Sequence, residues 1–169
     1  VRTYLIERCG VEPGRLKAQG FGETRPVSSG RSRADRHMLI FDRDLRRMQL
    51  EENSRLQLLS AFLAGNRLRR ICIVLHDPEP LHRQLPRLMQ VIVRFSHMID
   101  VRQTPDNLRH LADAHLLADD AHGVRRFHID QPRSALVIDN PDYVYPWCQR
   151  FMELWELSHP CLQINTTGL

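Results

Sequence analysis

Residues 70–78 read Arg70-Ile71-Cys72-Ile73-Val74-Leu75-His76-Asp77-Pro78. The run Ile71–Leu75 is β-branched and apolar at both odd and even positions, so both of its faces must be covered. That pattern belongs to a central strand of a parallel sheet packed between helices. His76-Asp77-Pro78 ends it, where a strand in such a sheet hands over to a helix. Upstream, Met38–Phe41 predicts a short strand, and Leu50–Ala64 a helix, with Leu56, Leu59, Phe62 and Leu63 at helical spacing and Gly65 at its stop. Downstream, Leu85, Leu88, Met89, Ile92 and Val93 predict a second helix. Pro86 belongs near its start, because mid-helix it would cost about 3 kcal/mol. Ile99–Arg102 is a further strand, Ala114–Ala118 and Val124–Ile129 a hairpin turning at Asp119–Gly123, and Leu136–Ile138 a strand edge. A closing helix starts near Asn140 or Asp142, with Trp147, Phe151, Leu154 and Trp155 as its buried stripe, and stops at Ser158-His159-Pro160. This order predicts an α/β fold, with a mixed, largely parallel sheet flanked by helices.

Composition narrows the class. The 169 residues are 42% hydrophobic and 26% charged, values of a globular chain. No apolar run reaches the ~20 residues of a membrane helix, and the charged start Val1–Gly10 is not a signal peptide. The net charge of +4 rests on arginine, because Lys17 is the only lysine. A nucleic-acid interface needs arginines on one face, and only Arg31/Arg33/Arg36 and Arg67/Arg69/Arg70 cluster, so the pattern argues against nucleic acid as partner. Cys9, Cys72, Cys148 and Cys161 have no C-x-x-C spacing. Cys72 and Cys148 read as buried thiols, which suits a reducing, cytoplasmic compartment.

The first 37 residues stand apart from the rest. Val1–Arg8 reads as the end of a helix, Arg15–Phe21 as a strand and Glu23–Gly30 as a Pro/Ser/Gly loop, a short helix–strand appendage. Gly10-Val11, Arg15-Leu16, Gly20-Phe21-Gly22-Glu23, Pro26 and Gly30-Arg31 together resemble the tail of an OmpA-like peptidoglycan-binding domain. Asp35 replaces that family's usual asparagine, and His37 its second late arginine. The resemblance implies a cell-envelope origin if the segment belongs to a longer parent. The family's peptidoglycan contacts precede this segment, so the resemblance implies no peptidoglycan binding from it alone. Lys17–Gly22 approaches an acetyl-CoA pyrophosphate loop, but no helix follows to aim its N–H groups at phosphate. A dinucleotide fingerprint fails for the same reason and at Arg25.

From residue 38 to 169 the chain resembles an uncharacterised bacterial family with a phospholipase-D-like fold. The matching pieces are Ile40-Phe41-x-Arg43-Asp44-Leu45, Ile71–Pro78, Ile99–Arg102, Leu116–Asp120 with Gly123, and Phe151-x-x-Leu154-Trp155-Glu156-x-Ser158. The resemblance implies half of a phospholipase-D-like α/β architecture. Active members of that fold use H-x-K-x-x-x-x-D, the histidine attacking phosphorus and the lysine neutralising phosphoryl oxygens. Placing the aspartate on Asp119 leaves Ala112 and Ala114 at the His and Lys positions. Placing it on Asp120 gives Asp113 and His115, and starting from His115 gives Leu117 and His122. Every register fails.

The chain also holds residues suited to other chemistry. His76 and Asp77 fall at a strand end, where α/β folds place ligands. His115, Asp119, Asp120 and His122 could bring imidazole and carboxylate together near the hairpin, as in a metal or hydrolase site. The alternative is that Asp77 caps a helix and Asp119-Asp120 form a solvated turn. No G-x-S-x-G or H-E-x-x-H occurs. The resulting expectation is a non-catalytic α/β binding or scaffolding module without cofactor, its partner a protein or small ligand. His76, Asp77, His115, Asp119 and Asp120 are the candidate contacts. The alternatives are a cell-envelope protein and an uncharacterised hydrolase or metal-dependent enzyme.

Overall fold

His37–Asp42 (β1) and Arg70–Leu75 (β2) lie side by side in parallel, with Leu39 opposite Cys72 and Phe41 opposite Val74. A computed structural model describes residues 36–162 of the chain. The expected N-terminal helix and strand, and with them the OmpA-like match, lie outside the described residues. Helix α1, Asn53–Ala64, links β1 to β2 after a 3-10 turn at Arg46–Met48. Two short helices follow β2: α2, Glu79–Gln84, and α3, Pro86–Arg94, with Pro86 in the first turn of α3 as expected. They return the chain to β3, Ile99–Gln103, again parallel to β2.

From there the chain direction alternates. Strands β4, Ala114–Ala118, β5, His122–Arg126, and β6, Ser134–Val137, form an antiparallel meander, and β4 pairs with β1. Helix α4, Pro141–Leu157, crosses back to a two-residue strand β7, His159–Pro160, on the free edge of β3. The seven strands are ordered β6-β5-β4-β1-β2-β3-β7. The mixed α/β architecture flanked by helices is the one the sequence predicts, but its balance differs. Parallel pairing is confined to β1, β2 and β3, and the remaining pairings are antiparallel. The physical reason lies in the connections: among neighbouring strands, β1–β2 and β2–β3 are the pairs joined by helical crossovers, whereas a turn such as Asp119-Asp120 can only reverse the chain.

Three layers result. Even-numbered residues of β1 and their neighbours (Ile40, Ile73, Val101) pack under α1, α2 and α3 with Leu56, Leu63, Leu81, Leu88 and Ile92. Odd-numbered ones (Leu39, Phe41) join Val74 and Leu117 under α4, where Val144, Trp147, Phe151 and Leu154 project. Asn140 caps α4, its Oδ1 accepting the Tyr143 N–H at 3.1 Å, and Pro141 occupies the first turn, where its missing N–H is harmless. Arg102 on β3 fastens the far end of α4 by lying 4.2 Å over the Trp155 ring and donating to the Trp155 carbonyl at 2.9 Å.

Phe151 has no solvent exposure and is the largest side chain that α4 buries completely. Phe151→Ala is expected to cost about 3–5 kcal/mol, read as a lowered urea midpoint with unchanged m. Met152→Ala, on the solvent side of the same helix, should stay within about 0.5 kcal/mol.

Candidate functional site

Strands β1, β2 and β3 all end at one side of the sheet, where β4 begins, and this side collects the buried polar groups. Asp42, 4% exposed, closes β1 by accepting the N–H groups of Asp44 at 3.0 Å and Leu45 at 2.9 Å. That turn holds the fully buried Leu45 at φ 65°, a conformation leucine rarely adopts. The Arg43 carbonyl accepts N–H groups from His76 at 3.1 Å and Asp77 at 2.8 Å, tying the end of β2 to the turn. Asp44 receives the Arg46 backbone N–H and both Nε and Nη2 of its guanidinium. Burial pushes the Asp44 carboxyl up, and the bonds from Arg46 outweigh it, leaving the group below the usual carboxylate value.

His76 lies inside this end of the sheet. Its Nε2 is 2.9 Å from the Leu111 carbonyl and its Nδ1 2.7 Å from Thr104 Oγ1. A carbonyl only accepts, so Nε2 carries the proton, and the neutral ring accepts the Thr104 hydroxyl at Nδ1. Burial holds its pKa below the ordinary histidine value. Both nitrogens are therefore engaged. Phe41 packs against the ring edge-on, with centroids 5.1 Å apart, and on its other side meets His115 at 5.4 Å.

His115 is 1% exposed, sits between Phe41 and Phe151, and neither ring nitrogen has a hydrogen-bond partner. Burial drives its pKa down to about 4; Asp113 opposes the fall, and Arg125 and Arg150 add to it. The imidazole is thus a neutral aromatic filler at pH 7. Two residues earlier on the same face, Asp113 is 8% exposed and binds Arg150 at 2.8 Å and Arg125 at 3.3 Å, joining β4, β5 and α4.

The other candidates part company with these two histidines. Asp77 is exposed, and its Oδ1 accepts the Glu79 N–H at 3.1 Å at the start of α2. Asp119 and Asp120 occupy the opposite end of β4, four or more residues from His115, roughly 13 Å at strand rise. With φ 54° and 58° they form a tight turn closed by Ala121 N–H on the Ala118 carbonyl at 3.3 Å. Asp119 accepts the His37 N–H and faces Arg36, while Asp120 meets His37 Nε2 at 2.9 Å. His122 Nδ1 accepts the Asp139 N–H at 3.0 Å. The structure therefore groups His76, Asp77 and His115 at one end of the sheet and Asp119 and Asp120 at the other. Among the described residues, no three His, Cys, Asp or Glu side chains converge as metal ligands.

Asp42, Thr104, Asp113, Arg125 and Arg150, the polar groups that build this end, belong to no motif of the sequence. Asp113 was the most visible of them: an acid between alanines at the head of a buried strand needs a partner, but the partners lie 12 and 37 residues away.

The arrangement defines a three-layer, mixed-sheet α/β domain whose strand-end histidines are buried in packing and hydrogen bonds. Residues 31–166 match the family described as Domain of unknown function (DUF7931), and the chain belongs to that family. No curated protein matches the sequence. Among solved structures, the chain is similar to Nuc from Salmonella typhimurium, a phospholipase D family member. The identity is 13% over 78% of this chain and 85% of Nuc, with a TM-score of 0.50. It is also similar to TrmBL2, an archaeal chromatin protein described with a mode of DNA binding, at 14% identity and a TM-score of 0.51. That match covers 76% of this chain, which spans 46% of the TrmBL2 chain. Both likenesses are likenesses of fold.

The folded pKa of His115 lies below its unfolded value near 6.5, so between pH 6.5 and about 4 the unfolded chain binds a proton that the folded chain refuses. Stability is full above pH 6.5 and declines as pH falls through this window, by up to about 3 kcal/mol from this residue. Urea unfolding of His115→Leu should lose one proton's worth of that slope. An identical slope in both proteins would remove His115 as its source.

Proposed function

We propose that the domain is a non-catalytic α/β binding module. The observation that carries this reading is the engagement of His76, the strand-end histidine best placed for chemistry. Its Nε2–H is committed to the Leu111 carbonyl and its Nδ1 to the Thr104 hydroxyl. A general base or nucleophile needs a nitrogen lone pair facing a substrate. The second imidazole at this end, His115, is enclosed by Phe41 and Phe151. Supporting this, the positions that a phospholipase-D motif would fill with histidine and lysine, counted back from Asp119, hold Ala112 and Ala114. Binding in place of turnover is also compatible with the fold, which Nuc and a chromatin protein share at low identity.

The competing reading is a hydrolase using His76 and Asp77. Asp77 is exposed beside the mouth of the turn at Arg43, which is what keeps that reading in play. The two separate in one assay of the purified chain against a chromogenic phosphodiester and against DNA. A binding module gives no turnover above buffer. His76→Ala then acts only on stability, costing about 1–3 kcal/mol by leaving Thr104 Oγ1 and the Leu111 carbonyl without a partner. Turnover abolished by both His76→Ala and Asp77→Asn would establish the hydrolase instead.

A further inference from the structure

The two ends of the sheet treat arginine differently. Where β1–β3 finish, Arg43 and Arg47 reach Asp130, Arg46 reaches Asp44, Arg109 reaches Asp106, and Arg125 and Arg150 share Asp113. At the end where β1, β2 and β3 begin, the arginines are Arg36, Arg67, Arg69, Arg70 and Arg94. Among the described residues, Arg36 of these is the one paired with a carboxylate, at 3.7 Å from Asp119. Strand pairing creates the group: the Arg70 N–H donates to the Arg36 carbonyl at 3.2 Å, and the Ile71 N–H to the Met98 carbonyl at 2.9 Å. The first bond brings Arg36 against the turn 65–69, and the second brings up the loop after α3. Arg36, Arg67, Arg70 and Arg94 are exposed.

Among the described residues the acids at this end are Asp100, Asp119, Asp120, Asp139 and Asp142, the last two on the β6 and α4 side, away from β2 and β3. Asp119 holds Arg36 and the His37 N–H, and Asp120 holds the His37 ring. The remaining guanidinium groups are positioned by neutral partners. Arg70 Nη1 donates to the Arg67 and Arg69 carbonyls at 2.7 and 2.8 Å. Arg69 lies 5.1 Å over Phe62, and Arg94 5.3 Å over Phe95. Such placement restrains the side chains without neutralising them. It leaves planar forks on a solvent-facing surface, the geometry that fits phosphate oxygens in pairs. The folded part is close to neutral, with seventeen arginines against sixteen acids in residues 36–162, and the cationic group lies on the β2 and β3 side of this end, where Asp100 is the nearby acid.

We propose that this surface binds the phosphate backbone of nucleic acid, without reading sequence. The proposal rests on the binding-module reading and names its partner class. Exposed aliphatic groups at this end are few and scattered, Leu68, Val93 and Ile138, which favours a polyanion in water over an anionic membrane surface.

The test is anisotropy of a labelled duplex of arbitrary sequence, titrated with the chain between about 50 and 200 mM salt. Neutralising about four phosphates predicts roughly a hundredfold loss of affinity across that range, equal for unrelated sequences. Arg67→Ala/Arg70→Ala should lose only about tenfold across it, because each arginine removed lowers the salt slope by about one. Arg94→Ala should fall between them. Arg87→Ala/Arg109→Ala, at the other end of the sheet, should match the parent, and circular dichroism checks that all variants fold. No binding at low salt, an unchanged slope in Arg67→Ala/Arg70→Ala, or binding to phosphatidylserine vesicles but not to DNA would each overturn the proposal. Turnover of a phosphodiester would overturn the module reading alone and leave this surface to be judged by its own variants.

Discussion

Phe41 occupies the middle strand with no solvent exposure, and His76, His115 and Phe151 close around it. That cluster joins β1, β2, β4 and α4, so the second core of the protein depends on it. The two rings that meet its phenyl group are both imidazoles. The polar atoms of those rings are handled differently. His76 finds a hydroxyl and a carbonyl, whereas His115 is buried with neither nitrogen satisfied. An unmade hydrogen bond in a low-dielectric interior costs about 1–3 kcal/mol, which makes His115 the weakest member of the most enclosed cluster.

Much of this was legible in sequence, and the parts that were not share a cause. Ile71–Leu75 announced a central strand, and Trp147, Phe151 and Leu154 announced the buried face of α4, because apolar periodicity is a local signal. Pro86 and Asn140 marked helix starts for equally local reasons of backbone chemistry. The antiparallel half of the sheet carries no such local signal, because the pairing of β1 with β4 joins residues about eighty positions apart, and nothing near Met38 encodes it. His76, Asp77, His115, Asp119 and Asp120 were grouped by chemistry alone. Strand direction then set Asp119 and Asp120 at the far end of β4, where two positive φ angles explain the choice of aspartate without reference to a ligand.

The arginines show the same lesson in reverse. Arg31/Arg33/Arg36 and Arg67/Arg69/Arg70 read as two separate clusters too small to form an interface. The pairing of His37 with Arg70 brings the members Arg36 and Arg67–Arg70 to one end of the sheet. Helix α3 then delivers Arg94 near the same place, since its return loop enters β3 beside β2. Charge that is dispersed along a chain becomes local only through topology.

The strand order also bears on synthesis. β1 is the first described strand made and the central one in the sheet, with β2 on one side and β4 on the other. A nascent chain can assemble β1, β2 and β3 under α1–α3 as soon as residue 103 is available, since those pairings need only parallel crossovers. The opposite face, with Leu39, Phe41 and Val74, waits for α4, which ends at Leu157. At ribosomal rates of about 5–20 residues per second, that face stays bare for several seconds. The half-built domain is therefore a one-sided sheet with an apolar surface, and its safety during that interval rests on how quickly the meander β4–β6 and α4 follow.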